Sequence, residues 1–115
     1  MKNWKDIEKF LKKFPGATFG VQWESVLVFK IEGKMFACLG LGKEQTSISF
    51  KCQEDDFELL VESEKALPAP YLARAKWVHT NSLKTFSKKE WEHYLKLAYS
   101  EVLRKLPKKT QKKYL

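Results

Sequence analysis

Residues 25–52, SVLVFKIEGKMFACLGLGKEQTSISFKC, constrain the fold more than any other stretch of the chain. Three apolar runs, 26–31, 35–41 and 47–52, are separated by Glu32-Gly33-Lys34 and by Gly42-Lys43-Glu44-Gln45. Each run is of strand length, and a glycine inside a short polar break supplies the positive φ that a tight hairpin turn needs. The segment therefore predicts an antiparallel three-stranded meander. In its last run Ile48, Phe50 and Cys52 alternate with Ser47, Ser49 and Lys51, so one face is buried and the other wet. The first two runs are apolar on both sides, as central strands covered on both faces are, and flanking helices are the expected cover. Gly40 and Gly42 mark a bend or bulge, because no helix follows them to complete a phosphate-cradling loop.

Local signals place the remaining elements. Asn3 is positioned to cap a helix in which Trp4, Ile7, Phe10, Leu11 and Phe14 share one face. Lys2, Lys5, Lys9, Lys12 and Lys13 fill the other, until Pro15-Gly16 stops the helix. Phe19, Val21 and Trp23 recur at period two and predict a strand over 18–23. The acids of Gln53-Glu54-Asp55-Asp56 suit the start of a second helix, with Phe57, Leu60 and Val61 inward and the prolines of ALPAP (66–70) as its stop. Tyr71 and Leu72 are expected to order the connection at 71–75, and KWVHTN (76–81) predicts a strand at the sheet edge. Ser87-Lys88-Lys89-Glu90 reads as a capping box that opens the longest helix. Trp91, Leu95, Ala98 and Val102 face inward there, with Tyr94, Tyr99, Leu103 and Leu106 on adjoining rows, and Pro107 ends it. The order is α-β-β-β-β-α-β-α, an α+β fold in which helices flank an antiparallel meander.

The expected organisation is one domain over residues 1–115 with a basic tail at 107–115, a length at which a chain buries about two thirds of its unfolded surface. No apolar run approaches the roughly 18 residues of a membrane span, and the N-terminus is amphipathic and charged where a secretory signal is apolar. A soluble, cytoplasmic protein with no membrane partner is the expectation, most simply as a monomer.

The formal charge of +8 is unevenly placed. Residues 1–60 hold nine Lys/Arg and nine Asp/Glu, whereas residues 61–115 hold thirteen against five, which accounts for the whole excess. A neutral half joined to a basic half points to a face for a polyanion. The candidate contacts are Arg74, Lys76, Lys84, Lys88 and Lys89 from the late strand and the loop after it, and Arg104, Lys105, Lys108 and Lys109 from the end of the last helix. Trp77 is the one aromatic considered for base stacking, although a strand tryptophan is ordinarily core. The cations at 104–109 have an equally good structural reading, since they complement the dipole at a helix C-terminus. The long helix spends its polar positions on Lys89, Glu92, His93, Lys96 and Glu101, a mixture unlike the Arg, Asn and Gln that read base edges.

Catalysis and metal binding find less support. Cys38 and Cys52 stand in separate runs, outside any CxxC or Cys/His cluster, and read as reduced, buried apolar residues. His79 and His93 are the only histidines; a Cys–His dyad would need His79 brought to a cysteine by the fold, and His93 falls on an exposed helix face. No enzyme activity, cofactor or metal is expected.

FPGA (14–17), VLVFKIEGKMFA (26–37), ISFKC (48–52), KWVHTNSL (76–83) and KLPKK (105–109), taken in this order and spacing, resemble the MmcQ/YjbR family of small bacterial proteins over nearly the whole chain. The resemblance implies a frataxin-like, double-wing α+β domain and a DNA-binding role. That role attaches here to the hairpin at Gly33-Lys34, the Trp77 strand and residues 106–109. The acidic or glycine-rich loop of the family's pattern is replaced by Lys84-Thr85-Phe86, which alters the charge of that wing. Iron delivery, a role found on frataxin-like folds, wants an acidic first helix; this one carries Asp6 and Glu8 against five lysines. The expected function is non-enzymatic, electrostatic binding of nucleic acid by the basic C-terminal half. A protein-interaction or small-ligand module is the alternative.

Overall fold

A computed structural model describes residues 3–22, 25–42 and 45–115. The first helix, α1 (Trp4–Lys12), begins where Asn3 Oδ1 accepts from the Lys5 and Asp6 amides at 2.9 and 3.3 Å while the Asp6 carboxylate accepts from the Asn3 amide. Ile7 and Leu11 are its buried pair. Six antiparallel strands follow: β1 (Ala17–Gln22), β2 (Val26–Ile31), β3 (Lys34–Leu41), β4 (Thr46–Lys51), β5 (Leu67–Pro68) and β6 (Trp77–Thr80), in the spatial order β1-β2-β3-β4-β6-β5. Glu32 and Gly33, at φ 49° and 76°, form the two-residue turn between β2 and β3. Positive φ at both central positions is the type I′ requirement that glycine meets without strain. The remaining helices are α2 (Glu54–Glu62), α3 (Lys88–Leu103) and the short α4 (Lys108–Gln111).

On one face of the sheet Phe29, Phe36, Leu39, Ile48 and Phe50 pack against Ile7, Leu11, Leu60, Trp91 and Leu95. β2 and β3 are covered on both faces as expected, but the second cover is not a helix. There Val28, Cys38 and Trp77 pack with Ala69 and Leu72 of the connection between β5 and β6. Cys38 and Cys52 therefore belong to clusters on opposite faces of the sheet, and both thiols are free.

Several expectations need correction. β6 is not an edge strand: Leu67 and Pro68 pair with His79 and Val78, so the stop signal of helix α2 is also a short outer strand. Proline is tolerated there because an edge position can dispense with its N–H. Leu72, not Tyr71, anchors the connection; Tyr71 is fully exposed at φ 66°. β1 forms, yet Phe19 and Val21 on this outermost strand are 48% and 63% exposed. Phe19 lies on Phe29 at 5.9 Å, with Lys12 Nζ 4.3 Å from its ring centre. The strand irregularity falls at Phe29/Lys30, and Gly40 instead allows a close approach to Ser47. Helix α3 ends at Leu103, ahead of Pro107, which opens α4. The expected strand end at Trp23, the turn residues Lys43 and Glu44, and Lys2 lie outside the described residues. Among the described residues no helix is long and apolar enough to cross a membrane.

The basic C-terminal segment is folded back onto the domain. The Gln111 side-chain amide donates to the Arg104 and Leu106 carbonyls at 3.1 and 2.7 Å. The Tyr114 hydroxyl donates to Glu32, and its ring lies over Gly16, which sits at φ 75°. A Cβ at Gly16 would come within 2.3 Å of that ring. Gly16→Ala is expected to cost about 2 kcal/mol from left-handed strain plus displacement of Tyr114. Limited proteolysis should then release residues near 107–115 faster than in the parent; an unchanged rate would show that the clasp does not hold the segment.

Candidate functional site

Lys51 ends β4 on the face away from α1 and α3, opposite Trp77 in register. The alternation of β4 suggests a wet lysine, but the chain at Ala75 closes over it. Lys51 is only 8% exposed, and its Nζ donates to the Ala75 carbonyl. Burial, and then the ammonium of Lys105, hold its pKa below the ordinary lysine value, with Glu101 pulling weakly the other way. Two like charges this close are unfavourable in a poorly solvated site, and an anion between them relieves the repulsion.

A cleft of about 390 Å³ opens beside this pair. Lys51, Lys76, Arg104 and Lys105 supply its cations, and Glu54 and Glu101 its two carboxylates. Glu101 is already engaged: Arg104 grips it through Nη2 at 2.5 Å and Nε at 3.0 Å, which lowers the carboxyl pKa. Lys76, at φ 63° as the chain turns into β6, extends its Nζ over the Phe57 ring at 5.0 Å. Among the described residues none of Lys51, Lys76 and Lys105 has a carboxylate within ion-pair distance. A second cleft of about 320 Å³ shares Lys51 and Lys105 and adds Lys34, Ala75 and the apolar Met35, Trp77, Val102 and Leu106. The lysine pair thus stands between a cationic recess and an apolar one.

The expected contact residues divide. Lys76, Arg104 and Lys105 converge in the first cleft, and Trp77 lines the second; Lys108 and Lys109 follow on α4, exposed but in neither cleft. Trp77 is 4% exposed and buried against Val28 and Cys38, so it offers no open stacking platform. Arg74 is exposed in the 3-10 turn Ala73–Ala75, outside both clefts. Lys84, Lys88 and Lys89 cluster at the other end of α3, whose 16 residues span about 24 Å. The candidate residues therefore do not form one face. Lys51 is not among those candidates, since in sequence it looks like an ordinary outward strand lysine, and Lys34 enters only through the Gly33-Lys34 hairpin to which the resemblance attaches a DNA-binding role.

No Cys–His dyad forms. Ser49 lies between Cys38 and His79 in cross-strand register, and Cys52 is on the other face. Ser49 Oγ donates to His79 Nδ1 at 2.8 Å, and His79 Nε2 donates to Asn81 Oδ1 at 3.0 Å. The order hydroxyl, imidazole, amide is that of a nucleophile, a base and its orienting group. None of the three lines either cleft, and the chain of bonds ties β4 to β6. His93 is exposed beside the Tyr94 ring.

Comparison with known proteins places the architecture. The structure is similar to the crystal structure of Deinococcus radiodurans protein DR2400, which contains the domain DUF419, with a TM-score of 0.88 at 20% sequence identity, covering 99% of this chain and 88% of that one. At this identity the likeness speaks for the fold. No curated protein matches the sequence. The YjbR family model matches residues 12–101, from the end of α1 to the last turns of α3, and by that match the chain belongs to the YjbR family.

Proposed function

We propose that this protein binds nucleic acid by its phosphate backbone, as a binding protein and not an enzyme, through the cationic cleft at the C-terminal end of α3. The observation that carries the reading is the convergence of Lys51, Lys76, Arg104 and Lys105 from three separate parts of the chain, with three of these cations lacking a carboxylate partner among the described residues. Lysine and arginine held this way neutralise phosphates and release counterions, and they carry no sequence information.

If about four phosphates are engaged on duplex DNA, affinity is expected to fall about a hundredfold between 50 and 200 mM salt. The double charge reversal Lys76→Glu with Lys105→Glu should weaken binding at least tenfold and flatten the salt dependence by about two phosphates' worth. Lys88→Glu with Lys89→Glu changes net charge equally at the far end of α3. At 150 mM salt the Debye length is about 8 Å, so this control should leave affinity nearly unchanged. Equal losses in both variants, in anisotropy titrations with labelled DNA, would move the site out of the cleft. Absence of binding at 50 mM salt and tens of micromolar protein would overturn the reading altogether.

A further inference from the structure

We infer that the site prefers an unpaired nucleotide over a duplex, with a phosphate between Lys51 and Lys105 and the adjoining base in the apolar cleft over Met35, Val102 and Leu106. This rests on the nucleic-acid reading above and goes beyond it by naming the form of nucleic acid. The second cleft is a poor match to phosphate alone. Its floor is apolar, its cations sit at Lys34, Lys51 and Lys105, and its volume of about 320 Å³ falls at the small end of the roughly 300–1,000 Å³ usual for small-molecule pockets. The complementary ligand has an apolar part joined to an anion. A nucleotide has that form, and only an unpaired base can leave its stack to enter a recess.

The geometry of Lys51 suits this division. An ammonium has three donors, and the Ala75 carbonyl takes one, which leaves two for an anion at the junction of the two clefts. Its bond to Ala75 also fixes the ammonium, so little side-chain freedom is lost on binding. Lys105 is exposed and can swing toward the same anion. Trp77, nearly buried, contributes wall and rigidity to the recess, so the base is gripped by packing and not by a free aromatic face.

The test compares three fluorescein-labelled probes of equal length at one salt concentration: single-stranded oligo-dT, an abasic strand with the same phosphates, and a duplex. The expected order is oligo-dT about tenfold tighter than the abasic strand, with the duplex no tighter than the abasic strand. Ala75→Trp, at an exposed position that leaves the Ala75 carbonyl in place, should block the recess. The roughly tenfold preference for oligo-dT over the abasic strand is then expected to collapse to about one whatever the change in phosphate affinity, with thermal melting confirming that the variant is folded, and a preference that survives would overturn the base recess. Equal binding of oligo-dT and abasic strand by the parent, or a duplex bound as tightly as oligo-dT, would overturn the base recess and leave the phosphate site standing. Failure of all three probes to bind would overturn the nucleic-acid reading itself.

Discussion

Raising the pH from 8 to 11 is expected to remove about 5 kcal/mol of stability through two buried thiols, about half from each. An exposed cysteine ionises near 9.0; burial pushes Cys38 up to about 11 and Cys52 up to about 12, the latter with help from Asp56. The unfolded chain therefore releases each proton first. Between pH 9 and these higher values the folded state holds more protons than the unfolded one, so stability falls as pH rises through that window. Tyr94 and Tyr99, also raised by burial, act in the same direction at higher pH. Lys51 acts oppositely: its folded pKa is lowered, so it releases its proton first when folded and stability rises with pH below its unfolded value of 10.5. Urea titrations of the parent and of Cys38→Ala with Cys52→Ala isolate the thiols. The double variant should lose far less stability between pH 8 and 11, and an equally steep loss would show that the thiols are not the cause.

Trp91→Ala is expected to cost about 3–5 kcal/mol, a large fraction of a total stability of roughly 5–15 kcal/mol. Trp91 is fully buried, meets Phe86 edge-on at 4.8 Å and Phe50 at 6.1 Å, and donates its indole N–H to the Leu83 carbonyl at 2.8 Å. The truncation opens a cavity between α3 and the sheet and leaves that carbonyl without its donor. Leu59→Ala on α2 removes an apolar side chain that is 58% exposed, and should change stability by no more than about 0.5 kcal/mol. The urea midpoint of Trp91→Ala should fall at an unchanged slope. Midpoints that shift equally in the two variants would contradict this account of the core.

What could be read in the residues is what neighbours in sequence decide. Asn3 with Asp6 and Ser87 with Glu90 form capping boxes within single turns of chain, and Ser87 Oγ and the Glu90 amide meet at 3.2 Å as their spacing predicts. Gly33 fixes a hairpin turn, and the spacing of Trp91, Leu95, Ala98 and Val102 gives one buried helical face. β5 carries no signal of its own in the sequence, because a two-residue strand has no periodicity and Leu67-Pro68 looks like a helix stop. Phe19 and Val21 have the alternation of a buried strand, but alternation says only that a face exists and not that it is covered.

The candidate site was legible in part. Charge counting points to Lys76, Arg104 and Lys105, which line one cleft, but equally to Lys84, Lys88 and Lys89, which do not, because a sum over residues has no direction in space. The length of α3 separates those groups, and sheet pairing beside the 69–76 connection encloses Lys51. By itself the sequence determined helices α1, α2 and α3, the meander and the excess of positive charge, since these follow from contacts a few residues apart and from composition, whereas α4 lies in what reads as a basic tail. Only the tertiary structure decided which cations meet, because a desolvated lysine beside Lys105 results from strands β4 and β6 and the end of α3 arriving at one point from residues 25 to 54 positions apart in the chain.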